Sequence, residues 1–434
     1  MNFIFFALAL IGFVAAGWRQ ISGTPTPDAA SPMQELTKTI IESAGSSVEL
    51  AISLIGIMTL FLGLMKIAEK GGLLVMIARL IRPLMEWLFP DVPRNHPATG
   101  AIVLNFSANL MGLGNAATPF GVRAMQELEK LNPRPGTATN AMVLFVAINT
   151  AGITLAPTSV IALRAAAGSA NPAGILPTTL FASFFATLFT VLAVRAYQRF
   201  FAPTGLTANP TEAGVSTGEG MGQCAADYIQ GESPEAYPTW AGFLALGIVF
   251  AIIPLAAIFG KAISPWLIPC ITIGSLAFGV VRRVPIYEVF VEGAKEGFQV
   301  AVKIIPYLVA ILVATGMLRA SGLIDIAAQT LGAWTAKAGL PPEGLLMAIV
   351  RPLSGSGAYG VLASIIRNPA IGPDSYTGYL VSTLQGSSET TFYVLAVYFG
   401  AVQIRRTRHA LAAGLTAELV AVMAAVAICR YLYG

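Results

Sequence analysis

Charged residues are scarce in this chain. They make up 11% of its 434 residues, whereas a soluble domain carries roughly 25%. Hydrophobic residues account for 55%, and the mean hydropathy is +0.71. A helix that crosses a bilayer needs about 20 mainly apolar residues, and the sequence holds about ten candidate runs. This composition excludes a soluble domain and predicts an all-α polytopic membrane protein.

Cysteine and histidine are also few. The three cysteines and two histidines lie far apart and have no metal-type spacing (Cys224, Cys270, Cys429, His96, His409). We interpret them as isolated packing residues and expect no metal site. Neither a catalytic triad nor a pair of carboxylates is recognisable, and no Gly-Lys-Ser/Thr phosphate loop occurs. We therefore expect no enzymatic activity, no resident cofactor and no ATP-driven transport by this chain alone.

A continuous basic stripe is lacking too. The net charge is only +4, and basic residues occur in loop groups such as Arg282–Arg283 and Arg405–Arg406 with Arg408. Nucleic-acid binding is therefore not expected. The positive-inside bias would place these loops in the cytoplasm.

Residues 202–238 interrupt the apolar pattern. Thr, Gly, Pro, Ala and Glu dominate this segment, and it contains no Lys or Arg. We interpret it as a flexible acidic linker outside the bilayer, on the side opposite the arginine loops. It divides the chain into a first half, residues 1–201, and a second half, residues 239–434.

The two halves share the order of their features. Each has an apolar run, an amphipathic stretch (residues 73–86 and 324–334), a Gly/Ser-rich apolar segment, a Pro-containing loop, a second polar interruption and a closing apolar helix. Paired halves with interrupted hydrophobic segments at matching places are typical of secondary transporters, whose site lies near the midplane between the halves. The pattern predicts a pseudo-repeat with broken or re-entrant helices.

The densest polar segment lies in the second half, at residues 385–393. Gln385, Ser387, Ser388, Glu389 and Thr390 occur there within an otherwise apolar stretch. A carboxylate at the centre of a membrane helix costs about 3 kcal/mol, so we expect Glu389 to meet an ion, a proton or a solute hydroxyl. The alternative is that Glu389 pairs with a buried arginine and only locks the helices together.

The corresponding segment of the first half is residues 148–158. Asn149, Thr150 and Thr154 offer amide and hydroxyl groups, which suit a neutral, hydrogen-bonding solute. The alternative is ordinary hydrogen bonding between helices, worth about 0.6 kcal/mol per bond.

Two glycine-rich segments precede these interruptions. Residues 105–119 carry Asn105 and Asn109, and residues 351–360 carry Ser354 and Ser356 after Arg351. Such polar backbone at membrane depth lines a cavity or packs against protein, and Arg351 would offer an anion a fixed positive charge. The alternative is a packing seam of small residues.

Two further carboxylates, Glu49 and Glu418, are candidate proton or ion carriers. We interpret both as lying at an interface with water.

At these same segments the chain resembles a known family. Residues 105–133 and 138–164 resemble spore maturation protein A, and residues 351–357, 372–375 and 382–400 resemble spore maturation protein B. These are usually separate polypeptides, so the resemblance implies that two partners of one complex are fused here. Both belong to the membrane family with the nucleoside-recognition or Gate domain, which also occurs in concentrative nucleoside transporters and ferrous iron transport protein B.

The resemblance also implies roles. In the nucleoside transporters, re-entrant hairpins with Gln, Thr, Glu, Ser and Asn groups hold base, ribose and sodium. The cluster of Gln385, Ser387, Ser388, Glu389 and Thr390 looks like such a hairpin. Asn149, Thr150 and Thr154 look like its counterpart.

We expect a multi-pass protein of the inner (plasma) membrane that transports or exchanges a small polar solute, nucleoside-like or a small organic anion, coupled to Na⁺ or H⁺. Its partners would be the lipid bilayer, the solute and further copies of the chain. A metal-ion permease and a non-transporting scaffold of envelope or spore maturation are the alternatives.

Overall fold

The computed structural model describes residues 2–22, 31–94, 96–112, 114–155, 157–200, 268–322 and 337–434, with the single residues 247, 266 and 335. The predicted linker, the apolar run at residues 239–260 and the second amphipathic stretch lie outside the described residues.

The described residues are helical, and no strand occurs among them. The helices are α1 (Asn2–Ser22), α2 (Pro32–Lys70), α3 (Leu73–Leu88), α4 (Pro97–Leu110), α5 (Gly114–Lys130), α6 (Asn140–Ala151), α7 (Thr158–Ala166), α8 (Leu176–Gln198), α9 (Ile268–Val281), α10 (Ile286–Ala320), α11 (Pro342–Val350), α12 (Gly355–Ile366), α13 (Tyr376–Gly386), α14 (Thr391–Ala401) and α15 (Ala410–Tyr433). A 3-10 turn, Pro172–Ile175, leads into α8. Within the described part of the chain, two helices are long and apolar enough to cross a membrane, Pro172–Gln198 and Ala410–Tyr433.

The predicted pseudo-repeat is confirmed by the order of these helices. Each half contains a long helix, α2 of 39 residues after α1 and α10 of 35 residues after α9, and the two long helices pack along one another. A helical hairpin follows, α4–α5 or α11–α12. A broken helix comes next, α6 and α7 or α13 and α14, and a single helix closes the half, α8 or α15.

The helix breaks follow from local chemistry. Gly112 at the tip of the first hairpin has φ +76°, a conformation that favours glycine. Pro157 immediately precedes α7 and lacks the N–H that a continuous helix would need. At the second hairpin tip, the Ser354 hydroxyl accepts a 2.9 Å hydrogen bond from the Gly357 amide and caps α12.

The amphipathic stretch at residues 73–86 forms α3, as expected. Its buried side chains are Leu74, Ala78, Met85 and Leu88. The residues of the predicted apolar stripe lie beside them and are partly buried against the same core (Leu73, Ile77, Ile81 and Leu84).

Each half contributes one helix to the buried core of the other half. One cluster joins α3–α6 of the first half with Val394, Tyr398 and Phe399 of α14. The other joins α11–α13 and the end of α15 with α7 of the first half. The second portion of each broken helix therefore packs into the opposite half, so neither half is an independent core.

The end of α8 packs against the first turns of α15. The Tyr197 hydroxyl, near the end of α8, lies 3.0 Å from Thr416 Oγ1 in α15. The Arg405 and Arg406 amides, which precede α15, both donate to the Gly136 carbonyl oxygen. Arg199 therefore lies at the same end of the molecule as the loop that carries Arg405, Arg406 and Arg408.

The arginine pair at 282–283 lies at this end as well. Arg282 Nε donates a 2.7 Å hydrogen bond to the Gly71 carbonyl oxygen, where α2 ends. Arg367 contacts the carbonyl oxygen of Ser46. Because Ser46 precedes Gly71 by about 37 Å along α2, at 1.5 Å per residue, Arg367 lies at the opposite end of the molecule.

Candidate functional site

The two helix breaks meet near the centre of the molecule. The backbone N–H of Glu389, between α13 and α14, donates a 2.7 Å hydrogen bond to the carbonyl oxygen of Thr150, near the end of α6. A methyl group added to Gly152 would lie 3.5 Å from Glu389 Cγ. The second-half break is therefore held directly against the first-half break.

Each hairpin tip contacts the break of its own half in the same way. In the first half, the Leu155 amide donates to the Leu110 carbonyl oxygen at 2.9 Å. In the second half, the Phe392 amide donates to the Pro352 carbonyl oxygen at 3.2 Å. Backbone groups freed by the breaks are thus paired within protein, as membrane depth requires.

A buried arginine faces the Glu389 carboxylate. Arg351, 4% exposed, follows α11 at the tip of the second hairpin. Its Nη1 donates a 3.0 Å hydrogen bond to Thr390 Oγ1, and its Nη2 lies 3.8 Å from Glu389 Oε2. Its Nε has no hydrogen-bond partner among the described residues.

The Glu389 side chain remains half exposed, at 50%. The pairing with a buried arginine that the sequence left open does exist, but it covers only one side of the carboxylate. A half-exposed carboxylate can accept a hydrogen bond from a hydroxyl, and a guanidinium can donate to a carbonyl or anionic oxygen, while the unbonded Nε of Arg351 itself is buried.

A second carboxylate lies behind the same junction. Glu418 of α15 is 6% exposed, so its interpretation as a residue at a water interface is wrong, whereas Glu49 is exposed. Glu418 Oε2 accepts a 2.8 Å hydrogen bond from Ser388, and Oε1 accepts a 3.2 Å hydrogen bond from Thr391.

The first half contributes a network of amides. Asn109 Nδ2 donates to Asn149 Oδ1 at 2.9 Å and so joins the first hairpin to α6. The Tyr398 hydroxyl of α14 lies 3.4 Å from Asn149 Oδ1 and 3.3 Å from Asn105 Nδ2. Asn105 also donates to the Ala117 carbonyl oxygen, while its own Oδ1 is buried with no hydrogen-bond partner in the described structure.

The other candidate side chains bond mainly to their own segment. The Thr150 hydroxyl donates to the Val146 carbonyl oxygen at 3.1 Å, and Ser387 donates to the Leu384 carbonyl oxygen at 3.4 Å. Ser354 caps α12, and Ser356 is half-buried in the first turn of that helix, as Thr154 is in the first-half break. Gln385 is half-buried, and its Oε1 has no hydrogen-bond partner among the residues described here.

Sequence reasoning missed three residues that organise this region. Thr391 adjoined the polar cluster and was a detectable candidate. Tyr398 gave no signal, because a tyrosine in an apolar helix is ordinary. Arg164 of α7 is fully buried and donates to Asp374 Oδ1 at 2.9 Å and to the Pro373 carbonyl oxygen at 2.6 Å. It is a basic residue near the end of an apolar run, a position that usually indicates an interface.

Cys224 lies outside the described residues, whereas Cys270, Cys429, His96 and His409 lie within them. Among the described residues, no group of three or more His, Cys, Asp and Glu side chains is placed to hold a metal ion. Cys270 is exposed and Cys429 is buried, and neither forms a disulfide.

Two hairpins and two broken helices, arranged as a repeat around a polar junction, define the class: an all-helical membrane protein with paired interrupted helices. The family model described as "Gate: Nucleoside recognition" matches residues 51–203 and 301–405. The chain belongs to this Gate family.

Two relatives from Bacillus subtilis (strain 168) agree with the sequence resemblance. Spore maturation protein B is 45% identical over 168 residues, which cover 39% of this chain and 93% of that protein. Spore maturation protein A is 39% identical over 201 residues, which cover 46% of this chain and 95% of that protein. A solved structure of a double variant of CNTnw in an outward-facing state is similar over 99% of this chain and 91% of that chain, with 14% identity and a TM-score of 0.41.

Proposed function

We propose that this chain is a multi-pass transporter or exchanger of a small polar solute in the plasma membrane, with its site at the junction around Glu389. The observation that carries the proposal is the asymmetry of the Glu389–Arg351 pair. Arg351 is buried and also held by Thr390, whereas Glu389 keeps half of its surface accessible. An ion pair with one partner open to solvent contributes little to stability, so locking the helices together does not account for an accessible carboxylate beside a buried arginine.

The groups at the junction favour a nucleoside-like solute or a small organic anion. Glu389 accepts hydrogen bonds, as a sugar hydroxyl would require, and the guanidinium of Arg351 beside it only donates, as a carbonyl or anionic oxygen would require. Gln385 Oε1, near the same break, is a buried acceptor without a hydrogen-bond partner among the described residues. The family description, nucleoside recognition, supports the first class.

Energy for transport would come from coupling to Na⁺ or H⁺. Neither an enzymatic step nor a resident cofactor belongs to the proposal. The proposal also includes a homo-oligomeric state and contact with lipid and with the solute, but no nucleic-acid partner.

Ligand-induced thermal stabilisation of detergent-purified protein tests the proposal. The screen uses uridine, adenosine, free nucleobases and small organic anions, with and without Na⁺ and at two pH values. A ligand at about 100 times its Kd would stabilise the native state by about 2.7 kcal/mol. We expect such stabilisation in the wild type and in Glu49→Gln, which alters an exposed carboxylate in α2, and its loss in Glu389→Gln.

Uptake into proteoliposomes then separates transport from binding alone. The stabilising compound, in radiolabelled form, should accumulate in vesicles with the wild type and the Glu49→Gln control but not with Glu389→Gln. Equal uptake by wild type and Glu389→Gln would contradict the proposed site.

The second candidate function is a non-transporting membrane scaffold. Its specific support is that several polar groups satisfy one another, such as Asn109 with Asn149 and Ser388 with Glu418. It would be favoured if no compound stabilised the protein and Glu389→Gln left its melting temperature unchanged. Stabilisation by a divalent metal ion would instead revive a metal-ion permease.

A further inference from the structure

Glu418 is a buried carboxyl group to which the solute site gives no role. It lies in α15, an apolar helix long enough to cross a membrane, and both of its oxygens face the junction between α13 and α14. Its partners, Ser388 and Thr391, flank Glu389 and Thr390 directly in sequence. A change in the charge or hydrogen bonding of Glu418 therefore acts on residues directly adjacent to the proposed solute site.

The chemistry of its partners distinguishes Glu418 from Glu389. Hydroxyl groups both donate and accept hydrogen bonds, so Ser388 and Thr391 can satisfy a carboxylate and also a protonated carboxyl. Glu389 is instead paired with a guanidinium, which only donates hydrogen bonds. The Glu418 pocket thus accommodates both protonation states.

Few charged groups face Glu418. Arg351 and Glu389 act on it electrostatically from the second hairpin and the junction. Of the other helices against α15, α6 has no charged residue, α8 has Arg195 and Tyr197 in its last turn, the latter 3.0 Å from Thr416, and α13 and α14 contribute tyrosines as their only titratable groups. α15 itself carries only Arg430, Cys429 and tyrosines towards its far end.

The contact with α15 is close enough to transmit a change. A methyl group added to Gly414, one turn before Glu418, would lie 2.6 Å from Thr391 Cγ2. On the other side of the junction, the Glu389 amide is bonded to Thr150 and Thr390 is bonded to Arg351. The junction is therefore held from three directions, and the Glu418 contact is the one that changes when a proton binds.

We propose that Glu418 is the proton-binding site that couples this protein to a proton gradient, while Glu389 binds the solute. A proton from the aqueous phase adds to the Glu418 carboxylate and is released on the opposite side. Protonation keeps both hydrogen bonds with Ser388 and Thr391 possible but removes the negative charge that strengthens them, and the weaker neutral bonds loosen the junction from α15. This inference rests on the proposed transport function.

Hydrogen–deuterium exchange tests the proton site without any solute. Exchange of the peptide that covers residues 387–392 is followed in purified protein at a series of pH values, after correction for the intrinsic pH dependence of amide exchange. We expect protection to fall on acidification in the wild type and in Glu389→Gln. The response should be lost in Glu418→Gln, which is of nearly equal shape, and in the double variant Ser388→Ala, Thr391→Val, which keeps Glu418 but removes its partners.

The inference is overturned if Glu418→Gln keeps the wild-type response, if the wild type shows none, or if Glu389→Gln abolishes it. A protection change produced by Na⁺ in place of K⁺ at constant pH, and removed by Glu418→Gln, would also overturn it in favour of a sodium site.

Uptake of radiolabelled uridine distinguishes this inference from the proposed function. With Glu418→Gln, uptake driven by a pH gradient should be lost, while exchange of internal for external uridine persists. Glu389→Gln should lose both. Absence of uridine uptake by all proteins would count against the nucleoside class of the proposed function. The hydrogen–deuterium exchange measurement, which needs no solute, would still decide the role of Glu418.

Discussion

The Glu389 amide and the Thr150 carbonyl oxygen, 2.7 Å apart, form a main-chain hydrogen bond between the two halves. Because the bond uses no side-chain atom, a substitution at position 389 that keeps the N–H leaves it intact. Glu389→Gln therefore removes the charge of the side chain while the two helix breaks remain joined. This separation of architecture from chemistry makes position 389 suitable for testing function.

Arg351→Lys should weaken solute binding more than it weakens the fold. The planar guanidinium bonds Thr390 with one nitrogen, lies 3.8 Å from Glu389 with another and leaves Nε unbonded. A lysine ammonium is a single point charge and cannot reproduce that geometry. We expect a loss of about tenfold or more in affinity, equivalent to 1.4 kcal/mol, for any compound that stabilises the wild type.

Titration calorimetry and thermal unfolding of the same preparations check this prediction. The control is Arg199→Lys, which alters an exposed arginine at the end of α8. Unchanged affinity in Arg351→Lys would remove Arg351 from the proposed site.

Gly121→Ala should destabilise the protein through Tyr398. A methyl group at Gly121 of α5 would lie 2.5 Å from ring atoms of Tyr398, which is buried and packs against Phe145. Overpacking of this kind costs about 1–3 kcal/mol, and the displaced ring would leave Asn105 and Asn149. Thermal unfolding in detergent measures the cost.

The matched control is Gly45→Ala, in α2, where an added methyl group meets nothing within 4 Å. Since alanine is favoured over glycine in a helix by roughly 0.5–1 kcal/mol, we expect the control to melt at the same temperature as the wild type or higher. Equal melting of both variants would show that Tyr398 is not held in place.

The repeat and the polar clusters were predictable because they depend on local composition. Glycine, proline and hydroxyl residues inside apolar runs identify a helix break wherever it occurs, as at Gly112 and Pro157. The exchange of α7 and α14 between the halves was not predictable, since it depends on which surfaces meet. The position of Tyr398 beside Asn105, 293 residues away in sequence, depends on that exchange.

The same reasoning explains the two charged residues whose burial the sequence did not reveal. Glu418 and Arg164 each stand alone among apolar neighbours, a pattern shared by residues that reach a water interface. Their hydrogen-bond partners, Thr391 and Asp374, come from segments that approach only in the folded chain. A single sequence therefore shows that burying such a residue costs free energy, but it does not show which hydrogen-bond partners offset that cost.

Arg164→Met should be among the most destabilising substitutions in the chain. Arg164 is fully buried, bonds to Asp374 and to the Pro373 carbonyl oxygen, and lies 4.3 Å from the ring centroid of Tyr379. It joins α7 of the first half to the loop before α13 of the second. Each buried acceptor that loses its donor costs about 1–3 kcal/mol, and Arg164 bonds several.

A double-mutant cycle with Asp374→Asn measures the coupling between the two residues. Although the Asp374 side chain is 35% exposed, Asp374→Asn leaves the fully buried Arg164 cation without its counter-ion and should therefore be destabilising on its own. The control Arg406→Met, at an exposed site, should change the melting temperature little. A coupling energy near zero would show that the main-chain contacts of Arg164, not the ion pair, hold the halves together.

The ends of α8, α14 and α12 allow the sidedness to be tested directly. Arg199 and Arg405 are exposed at one end of the molecule, and Ala370 is exposed in the loop near Asp374 at the other. In a variant whose three native cysteines are replaced by serine, single cysteines at these three positions can be labelled in intact cells with a thiol reagent that does not cross membranes.

Because the arginine loops share the first end, the positive-inside bias predicts that this end is cytoplasmic. Ala370→Cys should therefore react in intact cells, and Arg199→Cys and Arg405→Cys should react only after the cells are opened. Reaction of Arg199→Cys and Arg405→Cys from different sides would contradict the packing of α8 against α15, whereas labelling of both in intact cells with protection of Ala370→Cys would preserve the fold and reverse its orientation.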